Sequence, residues 1–135
     1  MIELLVLTII VALAFDFLNG FHDSANAIST VVATRVLTPV QAVTMAAIGN
    51  LIGPLFFTTA IAATIGKGII NTAAIQSLLP QETFIAMILA SLGGAIVWNI
   101  ITWYFGIPVS SSHALVGGLI GAAIVAVGPS FLLLD

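Results

Sequence analysis

Charge is the scarcest property of this chain. Lys and Arg together number two, Asp and Glu five, and charged residues make up 5% of 135 positions, where an ordinary soluble domain carries roughly 25%. A water-facing surface cannot be assembled from so few, and with 61% hydrophobic residues and a mean hydropathy of +1.29 the chain reads as an integral membrane protein. The shortage of cations also excludes nucleic acid as a partner: the net charge is −3, and two basic residues cannot make a phosphate-backbone footprint. Cysteine is absent, which removes disulfides, thiolate metal sites and Cys nucleophiles and leaves the redox compartment open. The apolar run from Ile2 to Phe15 carries Glu3 where a signal peptide has a basic region, and no A-x-A-like site closes it. A retained membrane helix is expected there.

What the chain does contain is long apolar runs with legible breaks. A helix needs about 20 mostly apolar residues to cross a hydrocarbon core of about 30 Å, so roughly four full or partial crossings fit in a single membrane domain over 1–135. Asn19-Gly20 predicts a break in the first helical unit, 1–34, because Gly tolerates unusual backbone angles and Asn competes for backbone hydrogen bonds. Pro39 opens a crossing over 39–65, where a first-turn proline costs little, and Gly53-Pro54 predicts a kink within it. Residues 66–80 read as a connection or short interfacial helix, and 81–105 as a further crossing with Glu82 in its first turn. Trp98, Trp103 and Tyr104 near its end fit an interfacial aromatic belt. Gly106-Ile107-Pro108 then breaks the chain before a glycine-rich re-entrant or half helix over 108–128. Arg35 and Lys67 read as interfacial anchors on opposite faces, so their bias cancels and orientation stays open.

Against this background the segment Asp16 to Thr30 is costly. Ionisable residues near the centre of a spanning helix cost about 2.5–3.5 kcal/mol each on insertion scales, and their usual reason for being there is a substrate or ion pathway. Asp16, Asn19, Asp23, Asn26 and Thr30 are spaced 3, 4, 3 and 4 apart, one stripe if the helix is continuous. If the helix unwinds at Asn19-Gly20, freed carbonyls and a new helix start become ligands instead. Carboxylate, carboxamide and carbonyl oxygens are hard donors that suit a small cation such as Na⁺. Interhelical hydrogen bonding competes as an account of Ser24, Ser29 and Thr30, less so of Asp23, whose carboxylate is expensive glue. His22 is either a titrating or anion-binding group or a structural hydrogen-bonding residue.

A second constellation is Pro108-Val109-Ser110-Ser111-Ser112-His113. A proline followed by three hydroxyls at a helix start presents N–H groups and side-chain donors where the helix dipole is positive, an arrangement suited to an oxyanion that must be released again. Serine is also simply a preferred N-cap. Gly117, Gly118 and Gly121 permit close helix packing and favour a re-entrant hairpin. Asn50 in the second run either completes a cation shell or is interhelical glue, while Asn99 and Thr102 read as packing and hydrogen-bonding residues. An intramembrane hydrolase is disfavoured: Ser111 and His113, two apart on a helix, point away from each other, and no G-x-S-x-G elbow is present.

Asn19-Gly20-Phe21-His22-Asp23-Ser24-Ala25-Asn26 resembles the N-G-x-x-D-x-A-N signature of the inorganic phosphate transporter (PiT / PHO4) family, and Pro108 to Gly117 resembles its P-x-S-x-[ST]-H-x-x-x-G element, in the same order. Gly66-Lys67-Gly68-Ile69-Ile70 and Gly93 to Asn99 also look like family positions. The resemblance implies an all-α integral membrane fold, one half of an inverted-repeat transporter with a broken first helix and a re-entrant hairpin. It implies no enzyme activity and no cofactor, but secondary transport of inorganic phosphate driven by Na⁺ or H⁺, in an expected prokaryotic cytoplasmic membrane. Sulfate or a related oxyanion is the alternative cargo, and a non-transporting scaffold or pore subunit the alternative class. Carried over by position, Asp23, Asn26, Ser110, Ser111 and Ser112 serve the substrate, and Asp23, Asn26 and Asn50 a Na⁺ ion. Asp16, Asn19, His22, Thr30 and His113 support them. Family members carry the signature twice and this chain carries it once. A second inverted half is therefore expected, from a longer form of the chain, a separate chain or an antiparallel second copy.

Overall fold

The structure, a computed structural model, describes residues 1–131, without the side chains of residues 57–62, 65–67 and 131. Five α-helices follow in order: α1 Ile2–Ala33, α2 Pro39–Gly68, α3 Thr72–Leu78, α4 Gln81–Tyr104 and α5 Ser111–Val127, with a 3-10 turn at Pro129–Phe131. Among the described residues three helical stretches are long and apolar enough to cross a membrane: Ile2–Ala33, Pro39–Phe56 within α2, and Gln81–Tyr104, while α5 is a shorter apolar helix.

The helix ends follow from local chemistry. α1 stops because Arg35 takes the left-handed conformation, φ 59°, and the turn closes with Arg35 N–H donating to the Val32 carbonyl at 3.1 Å and Val36 N–H to the Val31 carbonyl at 3.1 Å. This is the paired C-terminal arrangement usually given to glycine. Thr38 starts α2 with a reciprocal cap: its side chain accepts from Gln41 N–H at 3.3 Å while the Gln41 side chain accepts from Thr38 N–H at 3.1 Å, ahead of Pro39 in the first turn. Asn71 caps α3 through Ala74 N–H at 3.1 Å, and Ser110 caps α5 through His113 N–H at 3.5 Å. The Lys67 anchor expected from the sequence lies outside the described side chains.

α4 is the central element. Its buried residues Ile85, Leu92 and Asn99 recur every seven positions, or about two helical turns, and Ser91, Ala95 and Thr102 fall on the same face. α5 packs on that face and α1 leans beside it. α5 runs antiparallel to α4, since Gly121, Ala122, Val125 and Ala126 share a groove with Thr83, Ala86, Met87 and Ala90, while Val109 and His113 share one with Trp98. α1 runs parallel to α4, with the Met1 amino group 3.7 Å from Glu82 and His22 bonded at Asn99. Ile70, Ile75, Met87 and Ala123 form a small core where α3 closes the far end. Most large apolar side chains are exposed on the lone chain, from Ile2 on α1 to Val125 on α5. In a membrane that surface meets lipid or other helices.

The expected break at Asn19-Gly20 is corrected: α1 is one uninterrupted helix of 32 residues. Gly and Asn weaken a helix by about 1 kcal/mol or less each, whereas a backbone group left unpaired in hydrocarbon costs several. Continuity satisfies every carbonyl around the signature, so the freed carbonyls and second helix start expected as ligands are not there. α2 likewise stays helical through Gly53-Pro54.

Candidate functional site

Continuity restores the stripe. At 100° per residue, Asp16, Asn19, Asp23, Asn26 and Thr30 fall within a sector of about 80° on α1. Asp16, Asp23, Asn26 and Thr30 are exposed and Asn19 half-buried, so the sector runs along the rim of the α1–α4 contact and opens away from it. Among the described residues the two carboxylates make no ion pair. No cluster of three His, Cys, Asp or Glu side chains forms among them either. The oxygens this stripe offers a small cation are therefore side-chain ones, carboxylate, carboxamide and hydroxyl.

The rotation of that sector is set by His22. Its Nε2 lies 2.7 Å from the backbone carbonyl oxygen of Asn99; a carbonyl only accepts, so Nε2 carries the hydrogen. The Phe21 ring meets Trp103 edge-on at 5.8 Å, and Phe17, Leu18 and Ile100 complete a cleft of about 250 Å³ between the helices. The bond joins residues 77 apart in sequence and turns His22 toward α4, leaving Asp23 about 100° further round. Replacing His22 with Phe removes this donor while keeping an aromatic ring. The expected outcome is intact membrane insertion with faster amide hydrogen exchange over residues 16–26, measured by mass spectrometry on detergent-solubilised protein. Exchange matching the unmodified chain would show that the bond does not hold the segment.

The serine constellation reaches the same level from the other side. Gly118 of α5 sits against the backbone of Ser91 and Ala95. Stepping seven residues back along α5 and seven forward along the antiparallel α4 brings Ser111 opposite the 98–102 segment. Ser111 is 2% exposed, Asn99 1% and Thr102 0%. Thr102 Oγ1 donates to the Trp98 and Asn99 carbonyls at 2.9 and 3.0 Å, and the Ile107 N–H closes the loop on the Thr102 carbonyl at 2.8 Å. The Ser111 hydroxyl and both ends of the Asn99 carboxamide have no hydrogen-bond partner among the described residues. Ser110 is occupied as the helix cap. Ser112 and His113 are exposed, His113 lining a groove with Gly94, Trp98 and Ala114.

One level of the bundle thus gathers the signature on α1, Asn99 on α4 and the serines at the start of α5. Asn50 stands apart on α2, exposed. Measured along the helices from the 34–38 turn, it and Asp23 are each about 15 Å away. Pro54 has no N–H to give the Asn50 carbonyl four residues earlier, so that carbonyl is without its usual helical donor. Asn99 is the residue the sequence undervalued: it reads there as packing, but its carboxamide pairs with nothing described. Its place in the seven-residue series Ile85, Leu92, Asn99 was the available signal.

The model of a family described as the phosphate transporter family matches residues 19–133. The chain is 55% identical over 125 residues to a probable low-affinity inorganic phosphate transporter of Rhizobium meliloti (strain 1021), covering 93% of this chain and 35% of the relative. It is 51% identical over 128 residues to one of Bacillus subtilis (strain 168), covering 93% and 36%. With the low-affinity inorganic phosphate transporter PitA of Escherichia coli (strain K12) the identity is 40% over 126 residues, covering 87% and 23%. The chain therefore spans about a third or less of the length of these relatives. No solved structure gives a significant match.

Proposed function

From the premise that the chain belongs to the phosphate transporter family, whose members here are named as transporters and not as enzymes, we propose that it supplies one half of a site that moves inorganic phosphate across a membrane together with a coupling cation. The observation that carries this reading is the 2.7 Å bond from His22 to Asn99, which draws the acid and amide stripe to the level of the α5 helix start. The oxyanion is bound by Ser111, Ser112 and the N–H groups of that start, without Arg or Lys to hold it too tightly. Asp23 and Asn26 hold the cation, Na⁺ in preference to H⁺, with Asn50 closing the shell from α2 and Asp16, Asn19 and Thr30 lining the approach. A cation carried beside the oxyanion lowers the net charge that crosses the apolar core.

The stripe opens outward because the other wall comes from a second inverted half, and the half-length α5 with the 105–110 turn forms a re-entrant hairpin. The relatives being bacterial, the membrane is a prokaryotic cytoplasmic one. The test is radiolabelled phosphate uptake by proteoliposomes of the complete protein, with imposed Na⁺ or proton gradients and with sulfate as competitor. Uptake that rises with an inward Na⁺ gradient and resists excess sulfate is expected. Equal uptake without either gradient removes the coupling, suppression by sulfate removes the phosphate assignment, and no uptake leaves a scaffold or pore.

A further inference from the structure

Asn99 lies outside the Asn19–Asn26 and Pro108–Gly117 motifs and closes the Gly93–Asn99 stretch, yet its side chain is buried without a partner among the described residues. It is 1% exposed, and neither its Nδ2 nor its Oδ1 has a partner among the described residues. A buried polar group without a partner costs about 1–3 kcal/mol, and a carboxamide has two such ends. Its own backbone carbonyl already serves His22 and Thr102, which pins the residue from α1 and from within α4. The antiparallel register of α4 and α5 puts it at the level of Ser111, whose hydroxyl is also buried and unpartnered. Ser111 is the first residue of α5, so this level is also where the helix presents unused N–H groups.

We propose that the Asn99 side chain is a substrate-binding residue: its Nδ2–H donates to an oxygen of the tetrahedral oxyanion at the α5 helix start, beside the Ser111 hydroxyl. The inference rests on the transport reading above and adds to it a ligand from α4. Two donors that are unpaired in the empty site and paired in the loaded one make binding self-rewarding. The Ser111 hydroxyl and the Asn99 Oδ1 also accept, so the same pair can meet a P–OH as well as a charged oxygen.

Asn99→Leu and Asn99→Asp separate this role from glue. Leucine fills similar volume without a polar atom, so in the absence of ligand the Leu variant should melt at the same temperature as the unmodified protein or higher. It should also lose most of the upward shift in melting temperature produced by inorganic phosphate, and its KM for phosphate uptake should rise about tenfold or more with a smaller change in maximal rate, the loss of one hydrogen bond to a charged group. Aspartate keeps the shape and replaces the donor with a repelling carboxylate, so it should weaken phosphate at least as much. A Leu or Asp variant whose phosphate-induced shift and KM match those of the unmodified protein overturns the inference. So does an Asp variant that retains phosphate affinity where the Leu variant fails to fold. If the unmodified full-length protein shows no phosphate shift and no uptake, the transport reading itself fails and this inference with it.

Discussion

Replacing Asp23 with Asn is expected to lower phosphate uptake by roughly 10- to 100-fold while leaving the protein inserted and folded. The size follows from removing one charge-assisted contact worth about 1.5–3 kcal/mol from the loaded site. The folding expectation follows from the geometry: the Asp23 side chain is exposed on the lone chain and makes no ion pair among the described residues, so nothing within this half depends on its charge. Asparagine keeps the shape and one oxygen. Removing a carboxylate from a helix that must enter hydrocarbon should raise, not lower, the yield of inserted protein. Radiolabelled uptake, normalised to membrane yield by immunoblot, tests both parts. Full activity in the variant would leave Asp23 without a role in the cation site, and a collapse in yield would make it structural. Asp16→Asn, about two helical turns toward the N-terminus, is expected to cost less than Asp23→Asn in the same assay.

The second large effect is at Gly118. A Cβ built there meets the Ser91 carbonyl oxygen inside van der Waals contact and the Ser91 carbonyl carbon at 3.2 Å. These are backbone atoms of α4 and cannot swing aside as a side chain would, so the helices must separate. Overpacking a formed core costs about 1–3 kcal/mol, and Gly118→Val, with two further methyl groups, should reach or exceed the upper end. It would also pull Ser111 away from Asn99. The expected result is an aggregated or protease-sensitive protein by size-exclusion chromatography and limited proteolysis, with uptake lost. Gly117→Ala is the matched control, because nothing lies within 4 Å of its Cβ position, and it should behave as the unmodified protein. Equal behaviour of the two variants would remove the close approach as the determinant of α4–α5 packing.

Much of the architecture is legible in the residues because it is decided locally. Thr38 with Gln41, Asn71 and Ser110 each set a helix start through contacts three residues long, and such contacts depend only on neighbours in the chain. What is not legible is decided by partners far away in sequence. Asn19-Gly20 looks like a break on local preference alone, and it is overruled because a membrane penalises unpaired backbone more than a helix penalises Gly. Asn99 resembles ordinary glue until α1 and α5 are seen to meet it from two sides, His22 on its carbonyl and the α5 start at its side chain's level. The serine triad shows the division within one motif: its capping member is written in the sequence, while the burial of Ser111 next to an exposed Ser112 follows from which face α5 turns to α4.

The unbroken α1 has a consequence for the bilayer itself. Thirty-two residues at about 1.5 Å each make a rod of about 48 Å, against a hydrocarbon thickness of about 30 Å. The 24 residues of α4 come to about 36 Å. Packed in parallel and joined at His22, the two cannot both match the membrane upright. Hydrophobic mismatch is relieved by tilting or by local thickening, and here the tilt of one helix drags the other. The working depth of Asp23 is thereby tied to the thickness of the lipid around it, and uptake in reconstituted vesicles should pass through an optimum as acyl chains are lengthened from 14 to about 22 carbons.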